Sequence, residues 1–165
     1  MASISISYLL SLAAILLLGA CSPDRGTEKQ ASSDAFPPEA AGIGAEAIEA
    51  VLARDAALGG ARNHAPETGP IADAIRVYVE GLDAIDFSRC PPEFAAAFRR
   101  HREAWRASLP FFERFGDHRG EMHDVFEEIR ATDDATRYEL EGVEKRIWDT
   151  WAEVEAAMTT GAADG

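Results

Sequence analysis

Leu140-Glu141-Gly142-Val143-Glu144-Lys145-Arg146-Ile147-Trp148-Asp149-Thr150-Trp151-Ala152-Glu153-Val154 decides the fold class. Leu140, Val143, Ile147, Trp151, Val154 and, one turn further, Met158 recur at steps of three and four residues. That spacing puts them on one face of an α-helix, with Trp148 flanking the stripe. A half-buried strand would alternate at every second residue, and this stretch does not. Gly142 costs about 1 kcal/mol against alanine, too little to interrupt so periodic a helix. Asp133-Asp134 supplies the cap at its start, and the pattern ends near Thr159 or Gly161.

The preceding segments show the same period. Ile71, Ile75, Tyr78, Leu82 and Ile85 form a second stripe, with Pro70 suited to the first turn. Val77 and Val79 lie off that stripe and widen it. After a break over Asp86 to Pro92, a third helix is expected from about Pro92 to Phe115. Its inward face is Phe94, Phe98, His101, Trp105, Leu109 and Phe112, and Pro110 should kink it or end it near Ser108. Gly116 and Gly120 mark a turn before a short helix carrying Met122, Val125, Phe126 and Ile129. Gly42 to Leu58 is expected to form a first helix with Ile48, Val51 and Leu52 on one side. The pair Gly59-Gly60 should stop it, leaving Ala61 to Gly69 as a loop. No stretch alternates like a strand, and no repeat recurs. The expected fold is all-α, an antiparallel helical bundle of four or five helices over residues 42–160, followed by a tail at 161–165.

Net charge narrows the partners. The chain carries 29 acidic against 16 basic residues, a formal charge of −13. Such a surface repels phosphate backbones and anionic bilayers, so nucleic acid is not an expected partner.

Candidate chemistry rests on few residues. Cys90 stands in Phe87-Ser88-Arg89-Cys90-Pro91-Pro92-Glu93-Phe94, beside an arginine at an expected helix start. Both neighbours favour a thiolate, which opens a redox or disulfide role. The alternative is a small residue filling the corner before the prolines. His101 lies on the apolar stripe one turn from Phe98 and Trp105, where it could ligate a metal or a haem with help from His64, His118, Met122 or His123. The alternative is a core-edge histidine bonded to a facing carboxylate. The stripe around Trp105 also admits a hydrophobic ligand pocket, although ordinary core packing explains it as well. Arg89, Arg99, Arg100, Arg102, Arg106 and Arg114 concentrate around the third helix, which suggests either an anion-binding face or cross-helix ion pairs. No Cys-x-x-Cys, Gly-rich phosphate loop, Gly-x-Ser-x-Gly elbow or His-Glu-x-x-His occurs. No cofactor or metal is therefore expected from motifs, and no catalytic residue is assigned. The stretch from Cys90 to Trp105 resembles segments of uncharacterised bacterial proteins, a resemblance that implies no activity.

The amino-terminal end points elsewhere. Ile4 to Ala20 is an apolar run without a charged side chain, closed by Leu18-Gly19-Ala20-Cys21. The run alone admits an uncleaved membrane helix or a secretory signal cut by the ordinary peptidase. The final four residues resemble the lipobox of bacterial lipoproteins: an aliphatic residue, two small residues and a cysteine. The resemblance implies a signal peptide over residues 1–20, cleavage between Ala20 and Cys21, and lipid with palmitate-type chains on Cys21. It also implies a domain held in the periplasm by its anchor, and Ser22 in place of an acidic residue points to the outer membrane. If Cys21 is lipidated, Cys90 has no partner within the chain. Residues 21–41 are rich in Ser, Pro, Ala and charge and read as a flexible linker. The expected function is a non-enzymatic binding or interaction module at the cell envelope, with a membrane anchor and a protein partner.

Overall fold

The structure is a computed structural model, and it describes residues 38–163, with side chains over 44–159. The signal, the Ala20–Cys21 cleavage point and residues 21–37 of the expected linker lie outside the described residues. The described chain is all-α. Five helices pack as a bundle: α1 (Pro38–His64), α2 (Ile71–Asp83), α3 (Pro92–Phe112), α4 (Met122–Arg130) and α5 (Asp134–Ala163). Single-turn 3-10 helices follow α1 at Ala65–Glu67 and α3 at Glu113–Phe115. No strand occurs among the described residues.

α3 is the central element and packs chiefly against α5, with α2 on another side. Its inward positions Phe94, Phe98 and Phe112 have no exposed surface. They meet Ile71, Ile75 and Leu82 of α2, Val125 and Ile129 of α4, and Leu140 and Val154 of α5 in one continuous core. Burying each such side chain stabilises the fold by about 1.5–3 kcal/mol relative to leaving it in water. α1 is more peripheral: Val51 is its only fully buried apolar residue among those described, with Ile48, Leu52 and Leu58 half-buried against the core.

Several boundaries differ from the sequence-based expectation. α1 begins at Pro38, ahead of Gly42, and runs through Gly59-Gly60 to His64. Tertiary contacts on both sides of the glycine pair hold it. Leu58 lies so close to Gly81 of α2 that a Cβ there would come within 2.5 Å of a Leu58 methyl. Four residues beyond, Arg62 covers the rings of Tyr78 and Trp105. Two glycine penalties of about 1 kcal/mol each do not outweigh such anchoring. α3 likewise continues past Pro110 to Phe112 instead of stopping near Ser108. Pro110 is exposed, so the Arg106 carbonyl that loses its partner can turn to water. Around the proline, Ser108 and Phe111 are buried while Leu109 is only half-buried. The Ser108 hydroxyl donates to the Trp105 carbonyl at 2.7 Å, which satisfies it inside the core. α5 extends to Ala163, into the expected tail.

The turns follow local chemistry. In the α2–α3 break the Asp86 carboxylate accepts from the Ser88 amide at 2.8 Å and the Ser88 hydroxyl at 3.0 Å. That tie turns Phe87 back into the core, where it meets Phe98. Gly120 has φ +145°, a region open to glycine alone, and its amide donates to the Pro66 carbonyl at 3.2 Å. This bond ties the loop before α4 to the turn after α1. Asp133 caps α5 as expected, accepting from the Thr136 amide at 2.8 Å.

Candidate functional site

The polar groups nearest the centre of the bundle form a line from α1 to α5. Asp55 on α1 accepts from the Tyr78 hydroxyl of α2 at 2.5 Å. The Tyr78 ring meets Trp105 edge-on, with centroids 5.4 Å apart. Arg62 lies over both rings, its guanidinium 4.4 Å from the Tyr78 centroid and 4.1 Å from that of Trp105. The Trp105 indole N–H donates to His101 Nε2 at 3.2 Å. His101 Nδ1 then lies 3.1 Å from the Thr150 hydroxyl of α5. Thr150 in turn donates back to its own helix, with the Arg146 and Ile147 carbonyls at 3.0 and 2.9 Å.

Local sequence explains the geometry. His101 and Trp105 are four residues apart on α3, so one side chain lies above the other on the inward face. Thr150 stands beside Ile147 and Trp151 on the inward side of α5, and the Trp151 ring lies 5.1 Å from the imidazole.

These hydrogen bonds determine the imidazole's state. An indole nitrogen can only donate, so His101 Nε2 accepts and the proton resides on Nδ1. Both ring nitrogens are therefore engaged. His101 is only 4% exposed, and burial pushes its pKa down to about 4. The Ile147 carbonyl opposes that shift and the Arg62 charge adds to it. Burial also dominates the neighbouring groups. It raises Asp55, against the Tyr78 hydrogen bond and the Arg62 charge, and it lowers Arg62. Tyr78 is pushed up by burial and by the Asp55 charge.

The expected facing carboxylate at His101 is thus a threonine hydroxyl. The line as a whole has no sequence signature: Arg62 falls in a segment that reads as loop, and Tyr78 and Thr150 carry no functional signal. Among the described residues, no group of three or more His, Cys, Asp or Glu donors includes His101. His64 Nδ1 bonds Glu67 at 2.9 Å, and His118 meets Phe115 edge-on. Among the described residues, the one group of three donors able to share a metal ion is His64, Glu67 and Glu121. All three are exposed, and the His64–Glu67 hydrogen bond accounts for their proximity without an ion.

Cys90 is half-buried, just ahead of α3, and its amide donates to the Phe87 carbonyl at 3.0 Å. Burial raises its thiol pKa and the Asp86 carboxylate raises it further. The direction is opposite to that expected from Arg89 and a helix start. Asp86 acts on the thiol through its charge, and its bonds to Ser88 hold it in the same turn.

Five of the six arginines singled out around α3 meet neighbours, although the Arg102 Nε is buried without a hydrogen-bond partner. Arg102 and Arg106 pair with Asp83 at 3.1 and 2.7 Å, Arg100 with Glu153 at 2.5 Å, and Arg114 with Glu139 at 2.6 Å. Arg99 lies over the Phe87 ring. Cross-helix pairing, at about 0–1 kcal/mol each, describes this face.

Two open depressions flank α1. One, of about 430 Å³, includes Val51, Arg54, Asp86 and Arg89. The other, of about 240 Å³, is nearly all apolar and includes Leu58, Arg62, Val77 and Tyr78. No described helix is long and apolar enough to cross a membrane. A comparison of the chain with family models, curated proteins and solved structures finds no match.

Proposed function

We propose that the chain is a bacterial lipoprotein whose helical domain serves as a non-enzymatic binding or interaction module at the cell envelope. The observation that carries this reading is Leu18-Gly19-Ala20-Cys21 at the end of an uncharged apolar run. Lipid on Cys21 anchors the chain, two or more acyl chains being needed for stable retention. The domain then stands in the periplasm, and Ser22 assigns it to the outer membrane.

Two features of the bundle support an interaction role. The side chains with chemical potential are committed to packing: His101 uses both nitrogens inside the core, and the Cys90 thiol is held toward its neutral form. Meanwhile α5 exposes Tyr138 and Trp148, at 79% and 54%. Exposed tryptophan and tyrosine are the residue types most often central to protein–protein contacts.

Lipidation and partner capture test the two halves. The intact mass of the membrane-extracted protein should match a chain beginning at Cys21 with attached acyl groups. Cys21→Ser should leave the leader uncleaved and the chain without acyl groups. A photo-crosslinker in place of Trp148 should trap a discrete envelope protein in intact cells. Recovery of the full-length, unacylated polypeptide from the cytosol overturns the reading.

A further inference from the structure

We propose that Trp105, His101 and Thr150 form an acid-sensitive latch, in which a second proton on His101 sets two N–H groups against each other and releases the seam between α3 and α5. Donor and acceptor types set the latch. At neutral pH the Trp105 indole donates to Nε2, and Nδ1–H faces the Thr150 hydroxyl and the Ile147 carbonyl. Acid adds its proton at Nε2, the one free lone pair. The indole N–H then points at another N–H, and neither can accept. Leaving that donor buried and unpaired is costly, so the imidazole or the indole must turn away.

The Ile147 carbonyl alone favours the imidazolium, and burial outweighs it. From α1 the ring faces Arg62, whose positive charge opposes a second one, while Asp55 is engaged by the Tyr78 hydroxyl of α2. On α3 itself Arg100 and Arg102 are cationic and pair with Glu153 and Asp83. On α5 the Trp151 indole donates to Glu155 at 3.0 Å and Asp149 binds Lys145. No carboxylate bonds the His101 ring among the described residues.

The pH window follows from the direction of the shift. The folded imidazole titrates near 4, below the 6.5 of an unperturbed histidine. The unfolded chain therefore takes up the proton first as pH falls. The contribution of the latch is complete above about pH 6.5 and is lost progressively toward pH 4. Opening frees Trp151 and Trp105 from the imidazole they both contact.

Nuclear magnetic resonance on the full-length chain tests this directly. At pH 7 the His101 nitrogen shifts should report the Nδ1–H form. On acidification the Trp105 indole signal should shift or broaden with the same midpoint as His101, well below pH 6.5, while the exposed Trp148 indole stays put. An Nε2–H form at pH 7, or a Trp105 signal unmoved as His101 titrates, overturns the proposal. His101→Gln should remove the component of the near-ultraviolet circular dichroism change that follows the His101 midpoint. Identical acid profiles for His101→Gln and wild type overturn it as well. Should His101→Gln fail to fold, Trp105→Phe keeps the ring and deletes the N–H. In that variant the His101 midpoint should rise, and an unchanged midpoint counts against the latch.

Discussion

At the scale of single residues, environment overrides sequence neighbours. Cys90 lies beside Arg89, yet burial and the Asp86 carboxylate both raise its thiol pKa. The thiolate fraction at neutral pH is therefore below that of a free cysteine, and nucleophilicity follows it. Reaction of the folded protein with a maleimide at pH 7 should be slower than that of a small thiol. Urea should accelerate it, and Asp86→Asn should accelerate it slightly without unfolding. Labelling of native protein at the small-thiol rate would contradict the assignment. The opposing cues at Cys90 are unequally visible in the sequence. Arg89 is adjacent, whereas the proximity of Asp86 depends on the turn made by Ser88. His101 shows the same inequality. Its inward position follows from its spacing to Phe98 and Trp105, so burial can be read directly. Its partner on α5 cannot, because which α5 side chain lies opposite depends on how the two helices pack and not on the period of either. Arg62 is hidden for a different reason: a long cation over two aromatic rings is a tertiary contact, and its own segment reads as a loop.

At the scale of elements, glycine and proline act less as stops than their local propensities suggest. Apolar stripes on α2, α3, α4 and α5 carry enough burial to place those helices from sequence. The departures fall at Gly59-Gly60 and Pro110, where contacts beyond the break continue the helix. Phe87 and Pro66 escape detection as buried residues because turns have no period to reveal an inward side. Two glycines that look alike in sequence differ in the same way. Gly142 lies inside α5, and a methyl group on its Cα would find nothing within 4 Å, so Gly142→Ala meets open space. Alanine there should stabilise the protein by up to about 1 kcal/mol, read as a raised denaturant midpoint with an unchanged slope. Gly120, at φ +145°, admits no such exchange. Gly120→Ala should destabilise by about 1–3 kcal/mol, and the strain should fall on its hydrogen bond to Pro66. If both substitutions move the midpoint in the same direction, the contrast between helix interior and strained turn is wrong.

At the scale of the whole molecule, the described core and the proposed anchor belong to different stretches of chain. Every buried apolar residue described lies between Val51 and Val154. The cross-helix pairs also stay within that span, from Arg76–Glu113 through Arg130–Glu144 to Arg100–Glu153. The described residues all fall in one compact unit, Ala35–Gly165. Stability should therefore reside in the bundle, and the lipobox-like segment, under the proposed function, should act on location alone. A chain beginning at Ala35 should unfold in one cooperative transition, with a midpoint within a few degrees of the full-length protein. It should also partition to the aqueous phase, since it lacks Cys21. Because core and anchor share no residues, the two readouts are independent. Loss of cooperativity would mean that residues ahead of Ala35 complete the core. Retained membrane association would mean that the bundle itself carries a membrane-binding surface, which its net charge of −13 argues against for anionic lipid.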